Sequence, residues 1–497
     1  MKKTRMMVKV FLLVLVAILL TTACSSKSST GTTESGDKGS AYKIKMAYVS
    51  TGTNLDDISQ VQEEINKITK RKINATVELD PIGISAWDNQ SKLMVASGEK
   101  LDLILSTSVF GNYALQATRG EFIPLDDLLK SHGKDILKVF SEDVLEGTKV
   151  NGKIYAIPSA REFGANYGFI MRKDIVDKYH IDLSKVKTYQ DLTDVFKIVK
   201  ENESNLTPIV NTGSGATDSR LGGMYDSLGD GFGAINYHGD PKKIINLYED
   251  KDYIDQIQLS RKWYEAGYIM KDAATSKETA ANIVKANKGF GYFNNLKPGF
   301  EAQESRLTGH EMVSVALSDS YMATNGATAF GMSISKNSEN PEKSMEFLNL
   351  LYSDKDIMNL LANGIEGKHY TQNSDGSISL PEGGKESKYV FNNWEVGNNF
   401  LTSVWKGDDP DHWKQLQSFN DSMIKSPAYG FTFDVNQVKS EIAACQNVVN
   451  QYRDGLGSGT LDPDKSLVDF NKKLKAAGID KIIKEKQKQY DKWMKLQ

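Results

Sequence analysis

The run YKIKMAYV (42–49), followed by INATVEL (73–79) and LDLIL (101–105), decides the fold. The first run alternates polar and apolar side chains, as a strand with one buried face does. The last is the short unbroken apolar run of a parallel strand covered on both faces. Between them Ile58, Val61, Ile65 and Ile68 recur at helical spacing, and residues 87–97 read as a second helix. Strand, helix, strand, helix, strand between 42 and 105 predicts a doubly wound α/β sheet, whose ligand crevice lies beyond the carboxyl ends of its strands. The loops at 50–57, 81–87 and 106–113 are therefore the first places to look for binding residues.

Farther along, VNGKIYAIP (150–158) is a turn leading into a strand that Pro158 stops. A strand is expected at 163–171 and helices at 173–179 and 188–201, the latter capped by Thr188 with Asp191 at its third helical position. Seven glycines within 213–233 read as irregular loop. Helices at 252–266 and 280–286, strands at 289–293, 313–317 and 328–334, and a helix at 341–352 with Pro341 in its first turn follow. Beyond 354 the pattern is mostly helical. It ends in a Lys-rich stretch whose Leu467, Phe470, Leu474, Ile482, Ile483, Tyr490, Trp493 and Met494 form an apolar stripe, read as a docked amphipathic helix with a solvated Lys face.

At the other end, residues 1–9 carry Lys2, Lys3, Arg5 and Lys9 without an acid, 10–20 are apolar throughout, and TTAC (21–24) closes the segment. The apolar run falls short of the ~20 residues a membrane-crossing helix needs, so 1–23 reads as a secretory signal peptide. TTAC resembles a bacterial lipobox. That resemblance implies diacylglycerol on the Cys24 thiol, cleavage before it, and a lipid anchor on the extracellular face of the cell membrane. Residues 24–40 offer nothing to bury after Cys24 and read as a flexible tether.

Removing the four cations of 1–23 takes the net charge from −3 to about −7, which argues against nucleic acid as a partner. The 457 residues from 41 onward are enough for two to three domains. With Cys24 spent on lipid, Cys445 stands alone: no intrachain disulfide and no Cys-based zinc site can form. Cys445 shares helical register with Val438, Ile442 and Val449 and reads as a buried apolar residue. Six scattered histidines lack metal-ligand spacing, so neither metal nor cofactor is expected.

The segments NGKIYAIP (151–158), GFIMRKDIVDKYHID (168–182), KTYQDLTDVFKIV (187–199), GFGYF (289–293) and FGMSISKNSENPEKSMEFLNLLYSDKDIMNLLANGIEGKHY (330–370) together resemble the bacterial extracellular solute-binding proteins of sugar ABC importers. NGIEGKHY, SPAYGFTFDVNQVKSEIAA (426–444) and KLKAAGIDKIIKEKQKQYDKW (473–493) are similar to the Gram-positive lipoprotein branch with an extra helical C-terminal region. The resemblance implies a two-lobed periplasmic-binding-protein-like α/β fold with a hinge and a helical C-terminal extension. It also implies a non-catalytic monomer that holds its ligand between the lobes and delivers it to ABC permease subunits. One lobe is expected at 41–160 plus 285–330, the other at 161–284 plus 331–497. Some alginate-binding relatives carry a calcium loop of alternating Asp and Asn. Residues 173–187 lack that alternation, so no structural calcium is expected.

Sugars present C–H faces and hydroxyl edges, which flat rings and Asp, Glu, Asn, Gln or Arg side chains meet. By position the candidates are Asn54 and Asp57 after the first strand, Trp87 and Asp88 after the second, and Phe110, Asn112 and Tyr113 after the third. Arg161, Glu162, Phe163, Asn166 and Tyr167 follow at the first crossover, and Phe293, Asn294, Asn295 and Lys297 after the short strand. Tyr321, Thr324 and Asn325 precede the last crossover, and Trp394, Asn398 and Trp405 lie in an aromatic, Asn-rich segment. Tyr155, Phe290 and Tyr292 alternate on strands and read as core; Trp87, Trp394 and Trp405 read equally as core or ligand surface. Glu366 and His369 read as a structural turn rather than an acid–base pair. Carbohydrate capture for an importer is the leading function. A peptide or other small solute is the alternative, and a glycoside hydrolase or lyase a third, against which the lack of GxSxG, HExxH and P-loop motifs speaks.

Overall fold

The computed structural model describes residues 40–51, 54–382, 384 and 388–495. The segment 1–39, on which the signal peptide and nearly all of the tether were read, lies outside the described residues. Two larger sheets are built from β1 (Tyr42–Ser50), β2 (Ala75–Gly83), β3 (Leu103–Ser106), β4 (Ile157–Pro158), β5 (Asn166–Arg172), β6 (Thr207–Ile209), β7 (Gly289–Leu296), β8 (Met312–Ala316) and β9 (Gly331–Ile334). The first has the order β2-β1-β3-β9-β4, with β1 parallel to β2 and β3, and β9 antiparallel to both neighbours. The second has the order β8-β5-β7-β6, with β5 antiparallel to β7 and β8.

The doubly wound start is as the alternation requires, with one shift. Ile73 ends the helix Ile58–Ile73 instead of opening a strand, because Asn74 takes the left-handed conformation (φ 48°) and turns the chain straight into β2. That helix buries Val61, Ile65 and Thr69, one residue per turn. The expected Thr188–Asp191 bonds form, Asp191 accepting from the backbone N–H groups of Lys187 and Thr188 at 2.9 and 2.8 Å and Thr188 Oγ1 from the Asp191 N–H at 3.3 Å, but they close a turn ahead of the helix, which runs Leu192–Asn202 with Asp191 as its N-cap residue.

Three expectations are corrected. Within 213–233 a helix forms at Gly215–Gly222; its glycines sit at its ends, where they cost little, and its Ala216, Thr217 and Arg220 face is buried. The described residues of 364–411 hold no α-helix but a run of turns, short bridges and two single-turn 3-10 helices, Asn393–Glu395 and Asn399–Leu401, as turn-formers such as NSDGS (373–377) favour. Finally, 285–330 joins the second lobe and 331–361 the first, the reverse of the expectation, whereas the C-terminal helices stay with the second as expected. β7 pairs with β5 and β6 in the second sheet, whereas β9 inserts between β3 and β4 in the first. A short buried strand carries no mark of which sheet will take it.

Ile44, Met46, Ile104, Met332, Phe347 and Tyr352 pack in the core around the first sheet. Phe169, Phe196, Trp263, Phe290 and Phe293 do so around the second. A third core joins Val438, Cys445, Phe470, Leu474 and Ile482 of the C-terminal helices to Phe232 and Tyr253. Cys445 is fully buried, and burial pushes its thiol up to about 11. The Lys face is solvated except at Lys486, which is wholly buried and ion-paired with Asp230. Among the described residues no helix is long and apolar enough to cross a membrane.

Candidate ligand-binding cleft

The chain passes from the first sheet to the second between β4 and β5, and returns between β8 and β9. These crossovers lie backbone to backbone. The Tyr321 N–H donates to the Ala165 carbonyl at 2.9 Å and the Ala165 N–H to the Tyr321 carbonyl at 3.2 Å. Gly164 is required there, since a Cβ would stand 2.0 Å from the Tyr321 carbonyl oxygen. Asn420, on the helix His412–Ser422, clamps the first crossover: its amide donates to the Arg161 carbonyl at 2.8 Å and accepts from the Phe163 N–H at 3.2 Å. Asn211 pins the end of β7 by accepting from the Phe293 N–H at 2.8 Å and donating to its carbonyl at 2.9 Å.

Where the crossovers leave the sheets, a cavity of about 580 Å³ opens. Val109 and Phe330 line it from the first sheet's side; Tyr167, Asn294, Asn295, Lys297 and Phe300 from the second's; and Arg161, Glu162, Tyr321 and Asn325 from the crossovers. It lies beyond the carboxyl ends of β3 and β7, where the doubly wound rule puts ligands.

Its centre is an ion cluster. Glu162 accepts from Arg161 and, at 2.9 Å, from Lys297. Burial pushes the Glu162 carboxyl up, but the two cations outweigh burial and hold it down at about 2. The two cations thus favour its ionised form. The Arg161 guanidinium stands 5.6 Å from the Phe330 ring centroid and 6.0 Å from that of Trp394, and its Nε is buried without a partner. Tyr321 stacks on Tyr237, centroids 3.9 Å apart and planes 5° from parallel. Burial pushes the Tyr167 phenol up to about 12, so it remains a neutral donor and acceptor. Beyond the cluster, a smaller cavity of about 260 Å³ shares Arg161, Glu162, Lys297 and Gln303 with the main one and is lined by Trp394, Trp405, Trp413 and Arg306. Flat rings, amides and a lining in which Arg161 and Lys297 are matched by Glu162 and Glu304 suit a polyhydroxylated neutral solute.

Of the residues expected from sequence, Arg161, Glu162, Asn294, Asn295, Tyr321 and Asn325 meet in the main cavity, and Trp394 borders it through the edge-on contact with Phe330. Phe110 packs on the outer side of Phe330, ring centroids 5.9 Å apart. Asn112 caps the helix Tyr113–Thr118 by accepting from the Leu115 N–H, and with Tyr113 borders a small cavity of about 130 Å³ that also touches Asn325.

The others are corrected. Trp87 and Phe293 are buried in the first and second cores, and Tyr113 is a buried ring whose hydroxyl is spent on the Thr148 carbonyl. Asn166 lies one position before Tyr167, and strand alternation turns it to the opposite face; its Oδ1 is buried without a partner. Asp88 is exposed and pairs with Lys92 at 2.6 Å. Asn54 is exposed and accepts from the Asp56 N–H. Asp57 is drawn to Lys368 at 2.8 Å and to His369 Nε2 at 3.1 Å, and these bonds hold its carboxyl below the usual range. His369 accepts from the Ile365 N–H through Nδ1, so NGIEGKHY is a structural turn fastened to the first helix. Phe300, Gln303 and Phe330 line the cleft without having been singled out, since none follows a strand of the first sheet, and Asn420, which clamps the first crossover from outside the cleft, was not singled out either.

The chain matches the bacterial extracellular solute-binding protein family over residues 52–358, and it belongs to that family. Residues 427–495 match a domain of unknown function, DUF3502. It is 30% identical over 467 residues to a carbohydrate ABC transporter substrate-binding protein of Streptococcus pneumoniae serotype 4, covering 93% of each chain. It is 25% identical to lipoprotein LipO of Bacillus subtilis, covering 98% of this chain and 99% of that one. Among solved structures it is similar to the N-glycan transport solute-binding protein NgtS of Streptococcus pneumoniae, with a TM-score of 0.82, 29% identity, and coverage of 91% of this chain and 99% of that one. NgtS in complex with Man5GlcNAc matches with a TM-score of 0.73 and 28% identity, over 92% of this chain and 99% of that one.

Proposed function

We propose that the protein captures a neutral oligosaccharide in the interlobe cleft and hands it to the permease subunits of an ABC importer. On this reading it acts without catalysis, as a monomer held on the extracellular face of the membrane by lipid on Cys24. The observation that carries the proposal is the cleft lining: Tyr167, Phe300, Tyr321 and Phe330 supply rings, Asn294, Asn295 and Asn325 supply amides, and the two basic side chains Arg161 and Lys297 are matched by two acidic ones, Glu162 and Glu304. Similarity to glycan-binding relatives supports the solute class.

Calorimetry of the mature chain against Man1GlcNAc, Man5GlcNAc and a panel of short peptides tests it. Saturable binding of a glycan with no glycan cleavage is expected; peptide binding alone, or cleavage of the glycan, would overturn it. For the anchor, Cys24→Ala should release protein to the medium or leave an uncut precursor. Unchanged membrane retention of a processed form would count against lipidation.

A further inference from the structure

A second cavity, of about 410 Å³, opens off the cleft and has Tyr167, Ala323 and Asn325 in common with it. Its volume falls within the ~300–1,000 Å³ of ligand sites. It is enclosed by the helix Gly215–Gly222, the loop 225–237 and the helix Lys439–Gly457, which contributes Gln446 and Arg453. The C-terminal region of unknown function thus supplies a wall of a chamber continuous with the cleft.

The lining chemistry is that of a neutral ligand. Tyr167, Tyr237 and Tyr248 offer ring surface, and the charged groups are already paired: Arg453 donates to Asp218 at 2.8 Å, and Asp230 is neutralised by the buried Lys486. With no charge left over, the chamber offers an ion little, whereas rings and polar edges suit the faces and hydroxyls of a sugar.

The chamber is also held in shape. The Thr217 hydroxyl donates to the Gly457 carbonyl at 2.7 Å, and a Cβ on Gly457 would stand 2.6 Å from the Ser214 Cβ, so the C-terminal helix is seated tightly on the helix Gly215–Gly222. At the junction with the cleft, Gly222 lets the Tyr167 ring lie against the backbone, since a Cβ there would stand 2.4 Å from the Tyr167 Cε1. Walls fixed before binding spare the ligand the cost of ordering them.

We infer that this chamber is a second saccharide subsite, in which the C-terminal helix binds the neutral sugar units of an oligosaccharide that extend past Tyr167 and Asn325 out of the cleft. The inference rests on the carbohydrate reading of the cleft itself. Its test is calorimetry of the mature chain and two variants, Gln446→Trp and Arg453→Ala, with Man1GlcNAc and Man5GlcNAc, alongside melting temperatures. Gln446 is exposed, so an indole there fills the chamber mouth without entering a core. Gln446→Trp should weaken Man5GlcNAc binding about tenfold or more and Man1GlcNAc binding by less than about twofold, and Arg453→Ala should weaken the longer glycan selectively by a smaller factor. Equal weakening of both glycans, or no weakening of either, in folded variants overturns the subsite and leaves the cleft reading standing. If the unsubstituted protein binds neither glycan, the carbohydrate reading fails and the subsite falls with it.

Discussion

Two glutamates respond to pH in opposite senses. Glu162 lies at about 2 in the folded protein against 4.5 for an ordinary carboxyl, so its stabilisation is fully present above about pH 4.5 and is lost as pH falls through about 2. Glu162→Gln leaves Arg161 and Lys297 without their counter-charge, and urea unfolding at pH 7 should show a loss of ~3 kcal/mol. Glu395 is fully buried, accepts from the Val49 N–H at 3.1 Å and from Asn392 at 3.2 Å, and is pushed up to about 8 by burial. The folded state then holds a proton that the unfolded state has given up between about pH 4.5 and 8, so stability falls as pH rises through that window. Glu395→Gln should flatten this slope, worth on the order of 4 kcal/mol; an unchanged pH profile would mean that Glu395 is not protonated when folded. The same scale shows what the sequence tells about the cleft. Arg161, Glu162, Asn294 and Asn295 were legible because strand ends and crossovers point there. Phe293 and Asn294 are adjacent and share the same sequence signal, yet strand alternation sends one into the core and the other to the cleft. Nothing local distinguishes them.

Among the elements, the helices Pro463–Ala477 and Ile479–Met494 do most to complete the second unit, since Phe470, Leu474, Ile479, Ile482 and Tyr490 are buried in cores shared with residues of 225–257. Lys486 ties the last helix to that unit by donating to Asp230 and, at 3.3 Å, to the Gly233 carbonyl. Lys486→Ala leaves Asp230 uncompensated and should cost ~3–5 kcal/mol, whereas Lys→Gln at the exposed Lys472, Lys484 and Lys492 should leave the melting temperature unchanged. Truncation after Gly455 should lower it further than Lys486→Ala does; a truncated chain that melts at the original temperature would show the tail to be an appendage. The amphipathic stripe was legible at helical spacing, but the buried Lys486 was not, because its partner is 256 residues away in sequence. Element identity follows a similar rule. β1, β2 and β3 come from local alternation and nearby turns, while the membership of β7 and β9 depends on pairings that periodicity does not encode.

At the scale of the whole molecule, the cleft draws its lining from both sheets, and the crossovers packed at Gly164 and Tyr321 join the sheets beside it. A ligand touching both sides binds the closed arrangement better than the open one and shifts the population by that difference in affinity. Small-angle scattering should therefore show a smaller radius of gyration with saturating glycan than without. Glycan at about 100 times its Kd should also add ~2.7 kcal/mol to the unfolding free energy. The two measurements separate closure from binding alone. A melting temperature that rises while the scattering profiles superimpose would mean that the sugar rests in a cleft already set at its working width, with Arg161, Glu162 and Lys297 serving as a fixed floor for the ligand.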